Sequence, residues 1–398
     1  MKIDRNEFVT AFSMALDFLE MGLRKDITYH GKRVCLIAMR IGEGILLDND
    51  SMFDLYAYAC LHDNGMTYPA FQVLDKNNIK VNMQSLEAGI AHCVRGNDNV
   101  LSFPFITHYT DVIKYHHEAY DGSGLFGIEG AHIPLLARVI ALADRVETLY
   151  ERNVDQNDIM AEVKAQKGLR FDPVMAEAFL DVASHPSFWL ALDAVFLESE
   201  LRKHAPSYRY ELDIAKLRPT TKVLSRIIDE KSPFTGTHSK GLSQKAEAMS
   251  QFYRFDAFKT MQMAVAADLH DAGKLMMPNT ILDKDGKLTP NEFDVIKTHT
   301  YYTRKVLETI PGFEDITEWA SNHHEKLDGS GYPYGFNSSK LSFESRLMGC
   351  LDIYQALTED RPYREGLSHG KSIKIMREEA ERGAISRDIV EDLAERFA

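Results

Sequence analysis

Apolar residues recur at three- and four-residue spacing along much of the chain. Clear stretches are LYAYACLH (55–62), LLARVIALADRVETL (135–149) and MAVAADLH (263–270). This spacing places apolar side chains on one face of an α-helix, whereas the alternating β-branched runs of strands are few. The pattern predicts an all-α protein.

Two of the predicted helices end in the same way. CLHDNG (60–65) and DLHDAG (268–273) each carry a glycine two residues after a His-Asp pair. Glycine is common where a helix ends in a left-handed cap. We therefore expect both His-Asp pairs at helix C-termini, with the glycine forming the cap.

The repetition extends far beyond these two sites. HHEAYDGSGLFG (116–127) is followed two hundred residues later by HHEKLDGSGYPYG (323–335), and further histidines and aspartates repeat at offsets of 207 or 208 residues. The pairs are His30 with His238, His62–Asp63 with His270–Asp271, His92 with His299, His116–His117 with His323–His324, and Asp144 with Asp352. A constant offset indicates tandem duplication. We predict one helical bundle over 1–185, a second over 220–398, and an ordered helical connector over 186–219.

Composition restricts the functions that such a protein can have. The 44% hydrophobic and 26% charged content is typical of a folded globular chain. With 46 Lys+Arg against 59 Asp+Glu the net charge is −13, which disfavours duplex nucleic acid as a partner. No apolar run reaches the length of about 20 residues needed to span a membrane. Asp4, Arg5 and Glu7 interrupt any export signal, and four scattered cysteines indicate reduced thiols, so we expect a cytoplasmic protein.

The repeated residues of the second copy form a set of possible metal ligands. They are His238, His270, Asp271, His299, His323, His324 and Asp352. Imidazole and carboxylate without thiolate suit iron, manganese, zinc or magnesium. Seven ligands exceed the needs of one ion, and two ions about 3.5–4 Å apart are widely used to hydrolyse phosphate esters.

These motifs together resemble one family. HDAGK (270–274), the histidine pair at 323–324, DGSGYP (328–333) and RPYR (361–364) resemble the HD-GYP subgroup of the HD-domain phosphohydrolases. The resemblance implies tandem HD-type helical bundles, a centre of two or three metals, and hydrolysis of bacterial cyclic dinucleotides. The substrates would be cyclic di-GMP or 3′,3′-cyclic GMP-AMP, and the product a linear dinucleotide or mononucleotides.

The resemblance also implies roles for individual residues. His238, His270, Asp271 and Asp352 would hold one metal, with Asp271 bridging to a second metal held by His299, His323 and His324. Lys274 would contact the scissile phosphate, Arg361 and Arg364 would clamp phosphate oxygens, and Tyr332 would pack against a base or ribose.

The number and the identity of the metals follow less directly. Some relatives carry a glutamate that recruits a third ion at the position where this chain has Phe234. We therefore expect two divalent ions. Iron or manganese is preferred by resemblance, and magnesium, zinc or nickel remain open.

The first copy keeps the ligand pattern but differs at the substrate-handling positions. His30, His62, Asp63, His92, His116, His117 and Asp144 form a possible second metal centre. Met66 replaces Lys274, Leu125–Phe126 replace Tyr332–Pro333 in a loop one residue shorter, and no RPYR follows Asp144. This copy is predicted to be a regulatory or accessory lobe that keeps metal, a hydrolase for a smaller phosphate ester, or a nucleotide sensor.

For the whole chain we predict a cyclic-dinucleotide phosphodiesterase acting in the second copy. The alternatives are a sensor or docking protein that binds cyclic dinucleotides without turnover, and a nucleotidase-type metal phosphohydrolase. Signalling proteins or a second copy of the chain are further possible partners.

Overall fold

The computed structural model describes residues 2–24, 29–67, 86–206, 211–231, 238–284, 286–360 and 365–398. Helices dominate this part of the chain, so the prediction of an all-α fold is confirmed. Two three-residue strands, β1 (Lys2–Asp4) and β2 (Glu211–Asp213), pair in a small sheet. No helix among the described residues has the length and apolar character needed to cross a bilayer.

The chain forms two compact units. The first unit is Asp4–Glu211, and the second is Leu212–Ala398 together with Met1–Ile3. The division lies inside the segment 186–219 that was predicted as a connector. Two helices of that segment pack within the first unit, where Trp189, Leu197 and Leu201 are buried.

The first unit is built around one buried helix, Asn49–Leu61, which we call α3. Asp48 caps its N-terminus by accepting a hydrogen bond from the Ser51 N–H, and every side chain from Phe53 to Leu61 is buried. A helix buried on all sides must be surrounded by others. The helices are α1 (Arg5–Arg24), α2 (His30–Gly44), α3 (Asn49–Leu61), α4 (Leu86–Val100), α5 (Leu135–Glu151), α6 (Gln156–Ala165), α7 (Pro173–Ala183), α8 (Pro186–Ala191) and α9 (Ala194–His204).

The second unit repeats this plan around the helix Ala257–Leu269, which we call α12. Its cap, Asp256, accepts from the Lys259 N–H, and all its residues from Gln262 to Leu269 are buried. The helices are α10 (Ile214–Glu230), α11 (His238–Phe252), α12 (Ala257–Leu269), α13 (Asn279–Leu282), α14 (Pro290–Leu307), α15 (Glu314–Ser321), α16 (Phe343–Thr358), α17 (His369–Glu381) and α18 (Arg387–Arg396). Each unit therefore carries its His-Asp pair at the end of its most buried helix.

A buried ion pair joins two segments of the first unit. The fully buried guanidinium of Arg5 donates to Asp54 Oδ1 at 2.9 Å and to the Phe53 carbonyl at 2.7 Å. Asp54 Oδ2 also accepts from the Thr107 N–H and hydroxyl at 2.7 and 2.6 Å. Asp54 thereby joins α1, α3 and the segment that follows α4.

Replacing Asp54 with alanine should destabilise the first unit by about 3–5 kcal/mol, because Arg5 would remain buried without its carboxylate partner. Chemical denaturation followed by circular dichroism measures the loss. As a control, Lys167→Ala removes the exposed ion pair with Glu177 and should change the unfolding transition little. Equal effects of the two substitutions would contradict this account.

Candidate metal centres

The His270–Asp271 pair lies where α12 ends, as predicted, but the expected left-handed cap is wrong. Gly273 does not have a positive φ. It lies in a 3-10 helix, Ala272–Met276, that directly follows the His-Asp pair. A Cβ at Gly273 would lie 2.0 Å from the His299 carbonyl oxygen, and one at Gly65 would lie 2.2 Å from that of His92. The repeated glycine therefore allows two backbones to approach closely.

Three histidines of the second unit are oriented in the same way. The Nδ1 atoms of His270, His299 and His323 lie 2.9, 2.7 and 2.6 Å from the carbonyl oxygen three residues earlier. This hydrogen bond requires the proton on Nδ1, so each Nε2 presents a lone pair to the interior. The repeated bond holds all three rings in a form ready to bind metal.

These rings form two groups with the other predicted ligands. His238, His270 and Asp352 bring one ligand atom each within 4.8 Å of the others, and so do His299, His323 and His324. The structure thus brings together all seven predicted residues, including Asp271.

Asp271 lies between the two groups. Its Oδ2 is 3.1 Å from His270 Nε2, and its Oδ1 is 3.3 Å from His299 Nε2 and 3.9 Å from His323 Nε2. Each carboxylate oxygen thus faces a different group, which is the arrangement that a bridging ligand needs.

Burial and neighbouring charges set the protonation of this cluster. Burial alone would raise the pKa of Asp271, but His270 and Lys274 outweigh it and hold that pKa well below its usual range. Burial lowers the pKa of His323 well below its usual value, and His324 falls to a pKa of about 3 for the same main reason. A charged Asp271 beside neutral His323 and His324 is the state that binds divalent metal.

The residues present fit a metal. His270 Nε2 and Asp271 Oδ1 are buried and have no hydrogen-bond partner within the described parts of the chain. Buried polar atoms seldom remain unsatisfied, and a cation would satisfy both. The nitrogen and oxygen donors suit a hard or borderline divalent ion.

One carboxylate that supports the cluster was missed by sequence reasoning. Glu359 Oε2 lies 2.9 Å from His238 Nδ1, while His238 Nε2 lies 3.0 Å from Asp352. A carboxylate on the far nitrogen fixes the tautomer of a ligating histidine and increases its basicity. In the first unit Glu147 makes the same contact: its Oε2 lies 2.5 Å from His30 Nδ1. By the repeat offset Glu147 corresponds to Gln355, not to Glu359, so a sequence comparison of the copies could not reveal it.

The predicted substrate-handling residues are only partly described. Lys274 Nζ lies 2.5 Å from Asp271 Oδ2, and the Tyr332 ring centroid lies 4.9 Å from that of His324. Both side chains therefore border the cluster. Arg361, Arg364 and Phe234 lie outside the described residues.

The glutamate of each HHE motif anchors the loop that follows it. Glu325 accepts from the N–H groups of Tyr334 and Phe336 at 2.8 and 2.9 Å through its two carboxylate oxygens. Glu118 accepts from Phe126 and Ile128 in the same way. Phe126 therefore occupies the position of Tyr334, and the predicted equivalence of Phe126 with Pro333 is wrong.

The first unit assembles an equivalent cluster. His30, His62 and Asp144 form one group, and His92, His116 and His117 form another that includes Cys93. Asp63 lies between them, 3.1 Å from His92 Nε2 through Oδ1 and 3.4 Å from His62 Nε2 through Oδ2. The structure thus brings together all seven predicted residues of this copy.

Cys93 was not predicted near a metal site. Its Sγ lies 4.0 Å from His116 Nδ1, but that nitrogen already lies 2.5 Å from the Ile113 carbonyl oxygen. Burial, then the charge of Asp63, raises the pKa of the Cys93 thiol. The thiol therefore lies on the Nδ1 side of the His116 ring.

Two all-α units, each with histidines gathered around the aspartate that ends its central helix, define a duplicated domain of the HD type. The chain belongs to the HD-domain family, whose family model matches residues 23–175 and 222–389. The predicted recognition and the tandem arrangement are therefore confirmed. HD-domain phosphohydrolases are metal-dependent, in agreement with the two clusters.

Several named proteins are similar to this chain. The 3′3′-cGAMP-specific phosphodiesterase 1 of Vibrio cholerae is 29% identical over 90% of this chain and 85% of that protein. A cyclic di-GMP phosphodiesterase of Pseudomonas aeruginosa is 30% identical over 44% of this chain and 43% of its own. The crystal structure of a cyclic GMP-AMP specific phosphodiesterase of V. cholerae aligns over 100% of this chain and 98% of its own, with a TM-score of 0.69 and 24% identity. This last similarity supports the fold alone.

Replacing Glu359 with alanine should weaken metal binding in the second unit about 10- to 100-fold, because His238 would lose the carboxylate that orients it. Titration of metal-free protein with manganese, followed by calorimetry, measures the change. Glu147→Ala is the matched control: it removes the same contact in the first unit and should leave the affinity of the second unit unchanged. An unchanged affinity in Glu359→Ala would contradict this role.

Proposed function

We propose that the second unit is a metal-dependent phosphodiesterase that hydrolyses cyclic dinucleotides. The observation that carries the proposal is the pair of histidine groups around Asp271, with Lys274 at the same carboxylate. Relatives named as phosphodiesterases for 3′3′-cGAMP and cyclic di-GMP support this substrate class. Both dinucleotides are proposed substrates of this chain.

The proposed ligands divide between two divalent ions. His238, His270 and Asp352 would hold one ion, His299, His323 and His324 would hold the other, and Asp271 would serve both. Iron or manganese is the preferred metal, with magnesium, zinc or nickel as alternatives. When bound, such ions neutralise phosphate charge and provide a nucleophile at neutral pH.

The remaining residues position the substrate. Lys274 is held by Asp271, so its ammonium lies ready to contact a phosphate oxygen at the cluster. Burial lowers the pKa of Lys274, but the charge of Asp271 more than compensates and raises it, so the ammonium keeps its charge. Tyr332 borders the histidines and offers a ring to a base or ribose. Arg361 and Arg364 are proposed to clamp the phosphates through bidentate hydrogen bonds.

The first unit is proposed to be an accessory, metal-binding lobe. Its cluster is complete, but the buried Met66 stands where Lys274 stands in the second unit. An apolar side chain at this position cannot stabilise charge on a phosphate. Ions that bind only the folded state would stabilise this unit.

The proposed setting is the cytoplasm. All four cysteines are buried and unbridged, which agrees with a reducing compartment. Signalling proteins or a second copy of the chain are the proposed macromolecular partners.

The proposal is tested by reconstituting metal-free protein separately with iron, manganese, magnesium, zinc and nickel. Each form is incubated with cyclic di-GMP and 3′,3′-cyclic GMP-AMP, and products are identified by mass spectrometry. We expect a linear dinucleotide or mononucleotides with at least one metal. Absence of turnover with every metal would leave the sensor function as the better account.

His270→Ala combined with Asp271→Ala should lower kcat at least about a thousandfold, because both metal groups lose a ligand. The matched control is His62→Ala combined with Asp63→Ala, which alters the first unit alone and should keep part of the turnover. Circular dichroism checks that both variants fold. Equal loss in two folded variants would show that the first unit takes part in catalysis.

Lys274→Met places the residue of the first unit in the second. We expect kcat to fall about 100-fold, because one group that stabilises transition-state charge is lost. Metal content, measured by mass spectrometry, should not change. The exposed Lys371→Met is the control, and an unchanged kcat in Lys274→Met would remove Lys274 from the proposed site.

A further inference from the structure

Helix α14 carries a row of exposed aromatic and cationic residues. Phe293, Lys297, Tyr301 and Lys305 follow one another at four-residue spacing and therefore lie along one side of the helix. Phe293 is 45% exposed and Tyr301 is 40% exposed. Large aromatic side chains in a protein core are almost fully buried. These two rings are therefore more exposed to solvent than core residues would be.

A second row lies in the loop after DGSG. Tyr334 and Phe336 stack with ring centroids 5.0 Å apart and an interplanar angle of 17°. Tyr334 is 41% exposed, and its ring centroid lies 6.4 Å from that of Tyr301. The two rows together form what we call the aromatic face: Phe293, Tyr301, Tyr334 and Phe336.

The aromatic face is continuous with the metal cluster. The Tyr332 ring centroid lies 4.9 Å from that of His324 and 6.4 Å from that of His299. The Tyr332 centroid also lies 6.4 Å from that of Phe293. A molecule with one phosphate at the cluster can therefore extend over Tyr332 onto the face.

Each ring of the aromatic face has a cation beside it. The four contacts are Lys297 Nζ 4.8 Å from the Phe293 centroid, Lys305 Nζ 5.4 Å from Tyr301, Arg304 Cζ 5.3 Å from Tyr334, and Lys340 Nζ 5.2 Å from Phe336. Lys297 and Lys305 also pair with Asp294 and Glu308 at 2.9 and 2.6 Å. Exposed pairs of this kind are weak, so both lysines remain able to attract an anion.

Arg304 differs from the lysines because it is fixed in place. Its Nη2 donates to Asn322 Oδ1 at 3.0 Å, and Asn322 directly precedes the His323–His324 pair. The guanidinium thus links Tyr334, in the aromatic face, to the segment that carries the candidate ligands His323 and His324. Its position beside Tyr334 is therefore set by the same structure that builds the cluster.

We propose that the aromatic face binds a nucleobase of the cyclic dinucleotide whose phosphodiester lies at the metal cluster. The inference rests on the proposed function and adds to it the surface that holds the second half of the substrate. Unpaired nucleotides bind to exposed aromatic rings that have cations beside them. The base stacks on the ring through its π-face, and the negatively charged phosphate of the nucleotide is attracted by the cation. Stacking does not read base edges, so the face accepts guanine and adenine alike.

The first unit has different residues at the positions that correspond to the aromatic face. The positions 207 residues before the α14 row hold Leu86, Ile90, Val94 and Asp98. Arg304 corresponds to Asn97, and Tyr334 corresponds to Phe126 through the glutamate contacts described above. The first unit therefore shares one ring, Phe126, which has Lys114 Nζ 5.7 Å from its centroid, but it has no lysine or arginine at the positions of Lys297, Arg304 and Lys305. It supplies an internal control.

Tyr334→Ala tests the proposal. Alanine keeps the backbone N–H that donates a hydrogen bond to Glu325, so the loop stays anchored while the ring is lost. Stacking on one aromatic residue predicts that KM for cyclic di-GMP and for 3′,3′-cyclic GMP-AMP rises roughly 5- to 100-fold, with kcat within about twofold of wild type. Tyr334→Phe keeps the ring and should retain the wild-type KM. Phe126→Ala, the equivalent change in the first unit, should also leave KM unchanged.

The outcomes separate this inference from the proposed function. Wild-type protein that turns over neither dinucleotide overturns the proposed function and the inference with it. Wild-type turnover with an unchanged KM in Tyr334→Ala overturns the inference alone. If Tyr334→Ala does not fold, Tyr301→Val, which installs the residue of the first unit, is measured in its place with the same expected rise. An altered oligomeric state with unchanged KM, seen by light scattering, would assign the face to contact between copies and overturn the proposal.

Discussion

The second unit depends on a carboxylate that is buried among imidazoles. Asp271 ends the most buried helix, and its two oxygens face different histidine groups. A buried charge is stable only when it is compensated, which requires ligands from several helices to converge on one point. Helices α11, α14 and α16 supply His238, His299 and Asp352 to that point. The close approach at Gly273 then sets how near α14 can come.

The first unit meets the same constraint with partly different residues. Asp63 and Gly65 repeat the helix end and the close approach, and Glu118 repeats the loop anchor of Glu325. The carboxylate that orients the first histidine of each cluster differs in position by one helical turn: it is Glu147 for His30 and Glu359 for His238. What the structure preserves is therefore the contact itself, whichever residue provides it. The units diverge where a substrate would lie, with Met66 for Lys274 and Val94 for Tyr301.

Much of the candidate site could be predicted because its chemistry is carried by rare residue types at a constant offset. Histidines and aspartates that repeat at an offset of 207 or 208 residues indicate both clusters, and the helical periodicity of apolar residues indicates the scaffold. Glu359 could not be found in this way, because nothing in its local sequence distinguishes it from a surface glutamate. The role of Gly273 was misjudged for a related reason. A glycine beside a helix end fits both a left-handed cap and a close contact, and the second depends on where α14 lies.

The sequence by itself determined the all-α class, the duplication, the two sets of candidate ligands and the difference between the copies at Lys274 and Met66. Each of these follows from residue type and spacing along one chain. Only the tertiary structure decided which ligands group together, which carboxylates orient the histidines, that Phe126 corresponds to Tyr334, and that the rings of α14 lie beside those of the loop. These features join residues far apart in the chain, and such pairings are set by how helices pack, which local spacing does not encode.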